Sequence, residues 1–167
     1  MLVRDYELGF TFEIGNDFSE ISKDKYELFG VDESVLHYFL YIDDDGNENP
    51  FSLIKGAKCA SVEEYENTIA TEIEKFQELY DDADVSNVIK IETEDGRRLD
   101  RFTVDFNDGG YLMVFYYTMV HGTIVSACAN IIDDADEYEA GLMAVMLSIK
   151  ETEKPTKTPA EAAKQEK

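Results

Sequence analysis

Four short apolar runs follow one another between residues 88 and 132, and short turn sequences separate them. The runs are VIKIETE, LDRFTVDF, YLMVFYYTMV and TIVSACANII, and the separators contain Asp95-Gly96, Asn107 to Gly110 and His121-Gly122. Runs rich in β-branched and aromatic residues and divided by glycine are typical of consecutive antiparallel strands. Asp95-Gly96 favours a two-residue type I′ turn because glycine tolerates the positive φ that this turn requires. The pattern predicts a four-stranded antiparallel meander.

The third of these runs is apolar on both of its alternate sets of positions. One set consists of Leu112, Val114 and Tyr116, and the other of Tyr111, Met113, Phe115 and Tyr117. Successive side chains of a strand point to opposite faces of the sheet, so a strand with two apolar sets needs cover on both faces. The third run is therefore predicted to be a central strand that lies between two layers.

Two amphipathic helices are predicted, one before the meander and one after it. Ser61 and Glu64 have the spacing of a capping box, in which each side chain accepts the backbone amide of the other residue. The apolar stripe of this helix has spacings of three and four and comprises Val62, Tyr65, Ile69, Ile73, Phe76 and Tyr80. The second helix is predicted to begin at Asp134, and its stripe comprises Tyr138, Leu142, Val145 and Ile149. Because the third run needs two layers of cover, we expect the helices on opposite faces of the sheet.

The first sixty residues show the alternation of further strands. Tyr6 to Ile14 alternates cleanly, Val35 to Ile42 is rich in aromatic and β-branched residues, and Tyr26 to Val31 is predicted as a shorter strand. The segment DDDGNENP, followed by FSLIKGA, predicts a hairpin with a longer polar loop. This loop does not fit a calcium site, because Gly46 at the sixth position would place Tyr41 and Ser52 where Asp and Glu are needed.

The order of these elements resembles the PsbP-like fold. The opening strand GFTFEIG runs into Phe18, and a hairpin, the helix SVEEYENTIATEIEKFQEL, the meander and a closing helix that ends LSIKE follow. This fold is shared by the extrinsic P subunit of photosystem II, the Mog family of Ran-binding nuclear import factors and many bacterial proteins, including chaperones that hold secreted effectors. The resemblance covers about residues 6 to 151. It implies an α+β sandwich, an antiparallel sheet with helices on both faces, and a non-enzymatic role.

The charge of the chain is strongly negative and unevenly placed. Asp and Glu number 37 against 15 Lys and Arg, which gives a net charge of −22. Residues 151–167 contain four Lys and four Glu, so the whole excess lies on residues 1–150. We expect a single acidic domain over 1–150 and a disordered or weakly helical tail over 151–167, because the tail has nothing apolar to bury. An acidic surface of this strength repels nucleic acid.

The sequence predicts a cytoplasmic protein with no membrane partner. Met1 is followed by LVRDYELGF, which lacks the apolar region of a leader peptide, and no stretch approaches the length of a membrane span. A chain from which a leader had been removed would show the same start. Cys59 and Cys128 form no disulfide framework and are expected to be buried thiols.

No pattern of catalytic, metal-binding or cofactor-binding residues stands out. His37 and His121 lie far apart, and two His and two Cys do not assemble a predictable zinc site or a Cys-His nucleophile. The carboxylate clusters are those expected of so acidic a chain, and no phosphate-binding glycine motif occurs. We therefore expect no enzymatic activity, no metal and no cofactor.

One basic group, Arg97, Arg98 and Arg101, interrupts the acidic sequence and contains three of the four arginines. Two interpretations stay open: the arginines pair with Glu92, Glu94 and Asp100 across strands, or they anchor a carboxylate or phosphate of a partner. Tyr111 and Tyr117 are the aromatic candidates for the same interface, since tyrosine often anchors protein contacts.

Two functions are compatible with these observations. The first is a protein-binding or chaperone-like module that uses a sheet face or groove, with another protein, or a second copy in a homodimer, as its partner. The second is an acidic inhibitor or immunity protein that occupies a cationic site on a toxin or enzyme. A third interpretation is that the acidity serves only solubility or a saline cytoplasm. Association with a cationic site falls steeply with salt, whereas binding in a hydrophobic groove does not.

Overall fold

The computed structural model describes residues 1–106, 111–132 and 136–153. The elements before the meander are β1 (Leu2–Asp5), β2 (Phe10–Glu13), β3 (Phe18–Glu20), a 3-10 helix (Lys23–Phe29), β4 (Val35–Ile42), β5 (Glu48–Lys58) and α1 (Val62–Leu79). Those that follow are β6 (Ala83–Val85), β7 (Ile89–Glu92), β8 (Arg98–Phe106), β9 (Tyr111–Val120), β10 (Thr123–Ile132), α2 (Asp136–Ser148) and β11 (Lys150–Glu151).

The main sheet has eight strands in the order β3-β4-β5-β10-β9-β8-β6, and β7 pairs with β8 beside β6. Every pairing in it is antiparallel. The strands β7 to β10 coincide with the four apolar runs and pair consecutively, so the predicted meander and the α+β class are confirmed. The loop Asn107 to Gly110 lies outside the described residues.

Of the two described glycine turns of the meander, His121-Gly122 forms the tight two-residue turn and Asp95-Gly96 does not. Glu92 pairs with Arg98, and the Thr93 amide donates to the Arg97 carbonyl, so the loop at Asp95 is longer than two residues. Of this pair only Gly96 has a positive φ, at 79°, which excludes a type I′ turn there. His121 and Gly122, with φ of 48° and 75° between paired Val120 and Thr123, have the positive φ values of that turn.

The two helices cover opposite faces of the main sheet, as predicted. Tyr65 and Ile69 of α1 pack with Phe102, Phe115 and other residues on one face. Residues of α2, which include Tyr138, Leu142, Val145 and Met146, pack on the other face with Val114 and Tyr116. The central strand β9 is thus covered on both sides, and Val114 is fully buried.

The helix caps agree in part with the sequence. The Glu64 amide donates to Ser61 Oγ at 3.2 Å, but the Glu64 carboxylate accepts the Ala60 amide, at 2.7 Å, where the capping box predicted the serine amide. The predicted cap of α2, Asp134, lies outside the described residues.

The structure also contains a second sheet of three strands, in the order β1-β2-β11, and it corrects two of the predicted strands. The stretch Tyr6 to Ile14 is not one strand, because a turn separates β1 from β2. Tyr26 to Val31 is not a strand either, since the chain there forms the 3-10 helix and ends it at Gly30 with φ of 66°. Lys150 and Glu151 pair with β2, so regular structure continues one residue past the predicted boundary at 150. Residues 154–167 lie outside the described chain.

Candidate protein-binding face

Half of one face of the main sheet carries no α-helix in the described part of the chain. Phe39 and Tyr41 of β4, and Phe51 and Leu53 of β5, are buried on the α2 side. Because side chains alternate along a strand, their neighbours point to the α1 side. We call six of these neighbours the open face: Tyr38, Leu40 and Ile42 of β4, and Pro50, Ser52 and Ile54 of β5. Ile42 is 43% exposed, and Leu40 is half-buried.

The dimensions of the elements explain why this area stays open. A helix with its side chains is about 10 Å wide and strands lie about 4.8 Å apart, so one helix covers two or three strands. The buried partners of α1 come mainly from β8, β9 and β10. On the opposite face, α2 and the small sheet together cover the main sheet, and Phe10 and Phe12 of the small sheet lie in the same core as Phe39. The α1 side has no such second layer over β4 and β5 among the described residues.

The 3-10 helix forms an aromatic border at one end of the open face. The rings of Tyr26 and Phe29 lie 6.3 Å and 5.8 Å from the ring of Tyr38. Leu28, between them, is 84% exposed. We call Tyr26, Leu28 and Phe29 the aromatic ledge. Large apolar side chains grouped in this way are the usual anchors of protein interfaces.

Carboxylates border the other end of the open face. Glu48 points to the same side as Pro50, by the alternation of β5, and the hairpin tip that follows Ile42 carries Asp43, Asp44 and Asp45. The pKa of Tyr38 is raised, first by burial and then by the negative charge of Glu48. The open face therefore combines apolar side chains with a negative potential.

The three arginines predicted as a polar anchor do not form one cluster. Arg98 lies on the α1 side, where Nε donates to Asp100 at 2.8 Å and Nη1 to Glu66 of α1 at 2.5 Å. Arg101 lies on the opposite side and forms an ion pair with Glu139 of α2. Asp100 was among the acidic partners predicted for these arginines. The other two carboxylates, Glu66 and Glu139, come from the helices.

Arg97 binds the end of α2. Its guanidinium donates to the carbonyls of Ile149 (3.2 Å), Met146 (3.0 Å) and Leu147 (3.4 Å) and to the hydroxyl of Thr118 (2.6 Å). A cation at the carboxyl end of a helix satisfies carbonyls that have no partner within the helix. This arrangement gives Arg97 a structural role, and a role of any of the three arginines in binding a partner stays a prediction.

Tyr117, one of the two predicted aromatic contacts, also lies away from the open face. Tyr117 is 7% exposed and stacks on Phe102, with ring centroids 5.8 Å apart, beneath α1. Its carbonyl accepts the hydroxyl of Tyr65 at 2.9 Å. The side chain of Tyr111 lies outside the described residues. Tyr117 thus belongs to the core, and the exposed aromatic residue beside the open face is Phe29 of the 3-10 helix, which is 45% exposed.

His37 joins the two sheets through a buried ionic bridge. Its Nε2 lies 2.9 Å from Asp5 of β1, and its Nδ1 lies 3.0 Å from Glu20 of β3. Burial lowers the pKa of His37, but the hydrogen bonds and charges of Asp5 and Glu20 outweigh it, so the pKa lies above its ordinary value. The protonated ring donates to both carboxylates. This group holds the small sheet on the main sheet, and the two carboxylates occupy both ring nitrogens of His37.

No group of three or more metal-binding side chains occurs in the residues that the structure describes. Cys59 is buried and Cys128 is half-buried, and burial raises the pKa of the Cys128 thiol to about 11. A thiol with a raised pKa is a poor nucleophile at neutral pH. Over the described ranges, no helix is long and apolar enough to cross a membrane. The cytoplasmic location expected from the sequence stays a prediction.

An antiparallel sheet with helices on both faces, in this order of elements, is a PsbP-like fold. The solution structure of cyanobacterial PsbP from Synechocystis is similar to it, with a TM-score of 0.56 and 16% sequence identity, over 90% of this chain and 91% of that chain. This match confirms the predicted fold. No protein-family model matches the sequence, and no curated protein matches it.

The open face was not predicted, although the sequence contains its signal. Val35 to Ile42 is apolar on both alternate sets, as β9 is, and therefore needs cover on two faces. The chain was predicted to have two helices, each wide enough for two or three strands. Comparing the number of strands with the number of helices would have indicated an uncovered apolar area.

Proposed function

We propose that this protein binds another protein through the open face and the aromatic ledge, and that it acts by binding and not by catalysis. The observation that carries the proposal is the uncovered apolar half of one face of the main sheet, which lies next to the aromatic ledge. The similarity to a PsbP-like structure supports the fold that creates this face, and the choice of partner rests on the residues of this chain.

The size of the effect follows from the exposed area. Fully burying a Leu or Ile side chain stabilises a complex by about 1.5–3 kcal/mol. Leu40 and Ile42 are already partly covered by their neighbours, so each has about 1 kcal/mol left to contribute. Replacing both with serine should weaken binding by roughly 2 kcal/mol, which corresponds to about 30-fold in Kd.

The experiment compares matched variants in capture from a lysate of the source cells. Leu40→Ser/Ile42→Ser changes the open face. Ile89→Ser is the control, because Ile89 is 51% exposed on β7, away from this face. Both variants should melt within a few degrees of the wild type. A partner retained by the wild type and the control, but lost by the open-face variant, supports the proposal, and its Kd can then be measured by calorimetry.

The proposal is wrong if every protein captured by the wild type is also captured by the open-face variant at the same affinity. Turnover of an ester, glycoside or nucleotide substrate by the purified protein would contradict its second part. A homodimer is a further outcome: sedimentation that depends on concentration, and is abolished by Leu40→Ser/Ile42→Ser but not by Ile89→Ser, would identify a second copy as the partner.

A further inference from the structure

We infer that the segment bound at the open face is a basic amphipathic polypeptide, with apolar side chains on one side and Lys or Arg on the other. This inference rests on the proposed function and names the chemistry of the partner. It is carried by the position of the charges around the open face, which are mostly negative.

Glu48 lies beside the apolar residues of the open face. Its neighbours on the same side of the sheet are Pro50 on its own strand and Ile42, to which it is paired in register. A partner side chain that covers Ile42 therefore brings its own polar atoms next to the Glu48 carboxylate. A Lys or Arg in that position would form a charged pair, and an Asp or Glu would be repelled.

The hairpin tip adds three further carboxylates. Asp43 accepts the backbone amides of Asp45 and Asn47 and the side-chain amide of Asn47. The hydrogen bonds from Asn47 lower the pKa of Asp43, so this carboxylate stays negative in mildly acidic solution. With Asp44 and Asp45 beside it, the tip places three carboxylates at the end of the open face where Ile42 lies.

The nearby basic residues have acidic neighbours or lie at a distance from Glu48. The 3-10 helix carries Lys23 and Lys25 beside Asp24 and Glu27. On β5, Lys55 pairs with Glu7 at 3.4 Å, and Lys58 lies at the opposite end of the strand from Glu48. Lys75 of α1 already pairs with Glu72 at 3.2 Å. Two copies of a chain with a net charge of −22 repel each other, which disfavours a second copy as the occupant.

Three synthetic amphipathic helical peptides of equal length test the inference: leucine–lysine, leucine–glutamine and leucine–glutamate. Binding is measured by fluorescence anisotropy with the full chain. The leucine–lysine peptide should bind at least 10-fold more tightly than the leucine–glutamine peptide at about 50 mM salt, and this advantage should shrink to less than about 3-fold at about 500 mM salt. The leucine–glutamate peptide should bind most weakly.

Variants of the protein show where the peptide lies. Glu48→Gln/Asp44→Asn should reduce binding of the leucine–lysine peptide about 5-fold, while Glu63→Gln/Glu74→Gln, which removes the same charge from exposed positions of α1, should change it less than about 2-fold. Leu40→Ser/Ile42→Ser should weaken both the lysine and the glutamine peptides, and Ile89→Ser neither.

The outcomes separate this inference from the proposed function. Equal binding of the lysine and glutamine peptides, with loss of both in Leu40→Ser/Ile42→Ser, overturns the basic partner and leaves the binding face in place. Binding of the lysine peptide that is insensitive to both the apolar and the Glu48 variants overturns both, because it shows general attraction to an acidic protein.

Discussion

Arg97 should contribute to stability and not to partner affinity. Its guanidinium makes three hydrogen bonds of 3.2 Å or shorter, to Ile149, Thr118 and Met146, and a longer one to Leu147. Hydrogen bonds of a charged group contribute about 1.5–3 kcal/mol to stability, and a cation at the carboxyl end of a helix contributes about 0.3–2 kcal/mol. The two contributions cannot be added in full, because the same guanidinium atoms make both. We therefore expect Arg97→Met to lower the free energy of unfolding by about 3 kcal/mol.

Urea unfolding followed by circular dichroism measures this change directly. For a domain of this size 1 kcal/mol corresponds to roughly 3 °C, so Tm should fall by about 9 °C. Arg97→Lys should lose most of the same stability, because an ammonium group cannot reach three acceptors in the planar geometry of guanidinium. Lys90→Met is the control: Lys90 is 63% exposed and lies 3.7 Å from Glu66, and such surface pairs contribute less than about 1 kcal/mol.

Two results would refute this reasoning. A loss of less than about 0.5 kcal/mol in Arg97→Met would show that solvent replaces the guanidinium without cost at the end of α2. Unchanged stability together with weaker binding of a partner would restore the anchor interpretation of this arginine.

Three further predictions follow from the core and the bridge. A group whose pKa is raised in the folded state binds its proton more tightly there, so the contribution of His37 to stability is complete below about pH 6.5 and is lost as pH rises through its folded pKa. Urea unfolding from about pH 5 to about pH 9 should therefore show a decline in the wild type that is absent in His37→Gln. Val114→Asp places a charge at a fully buried position between two layers and should prevent folding, as seen by loss of the near-ultraviolet dichroism. Removal of residues 154–167 should change Tm by less than about 2 °C, whereas a cut before Lys150 also removes the β11 pairing and should cost several degrees.

Local patterns predicted most of the main sheet and both helices. β9 is apolar on both sets of positions, and that single observation placed it in the centre and the helices on opposite faces. Backbone geometry sets how often a side chain returns to the same face of a strand or helix. The spacing of apolar residues therefore identifies these elements where one or both faces are buried. The small sheet could not be read in this way, because β11 has two residues and pairs with β2 across more than 130 residues of sequence. Nothing in such a short strand identifies its partner.

The prediction that the three arginines form one anchor is wrong, although the sequence contains the information needed to avoid this error. Arg97 and Arg98 are neighbours in sequence, and Arg98 and Arg101 are three positions apart, so alternation sends the members of each pair to opposite faces. A cluster in sequence is not a cluster in space within a strand. The sequence predicts a strand over Tyr26 to Val31 because this segment is rich in aromatic and apolar residues. Its rings in fact pack on Tyr38 of β4, and this tertiary contact cannot be inferred from the local pattern.

The position of β2 between β1 and β11 has a consequence for synthesis. On the ribosome, β2 emerges early, and its outer edge waits for Lys150 and Glu151 before it is paired. At about 5–20 residues per second, the intervening chain takes many seconds to appear. During that interval the Phe10 and Phe12 side chains lack α2, which comes late and shares their core. The nascent chain is thus vulnerable to premature association for most of its translation, and its folding should be largely post-translational.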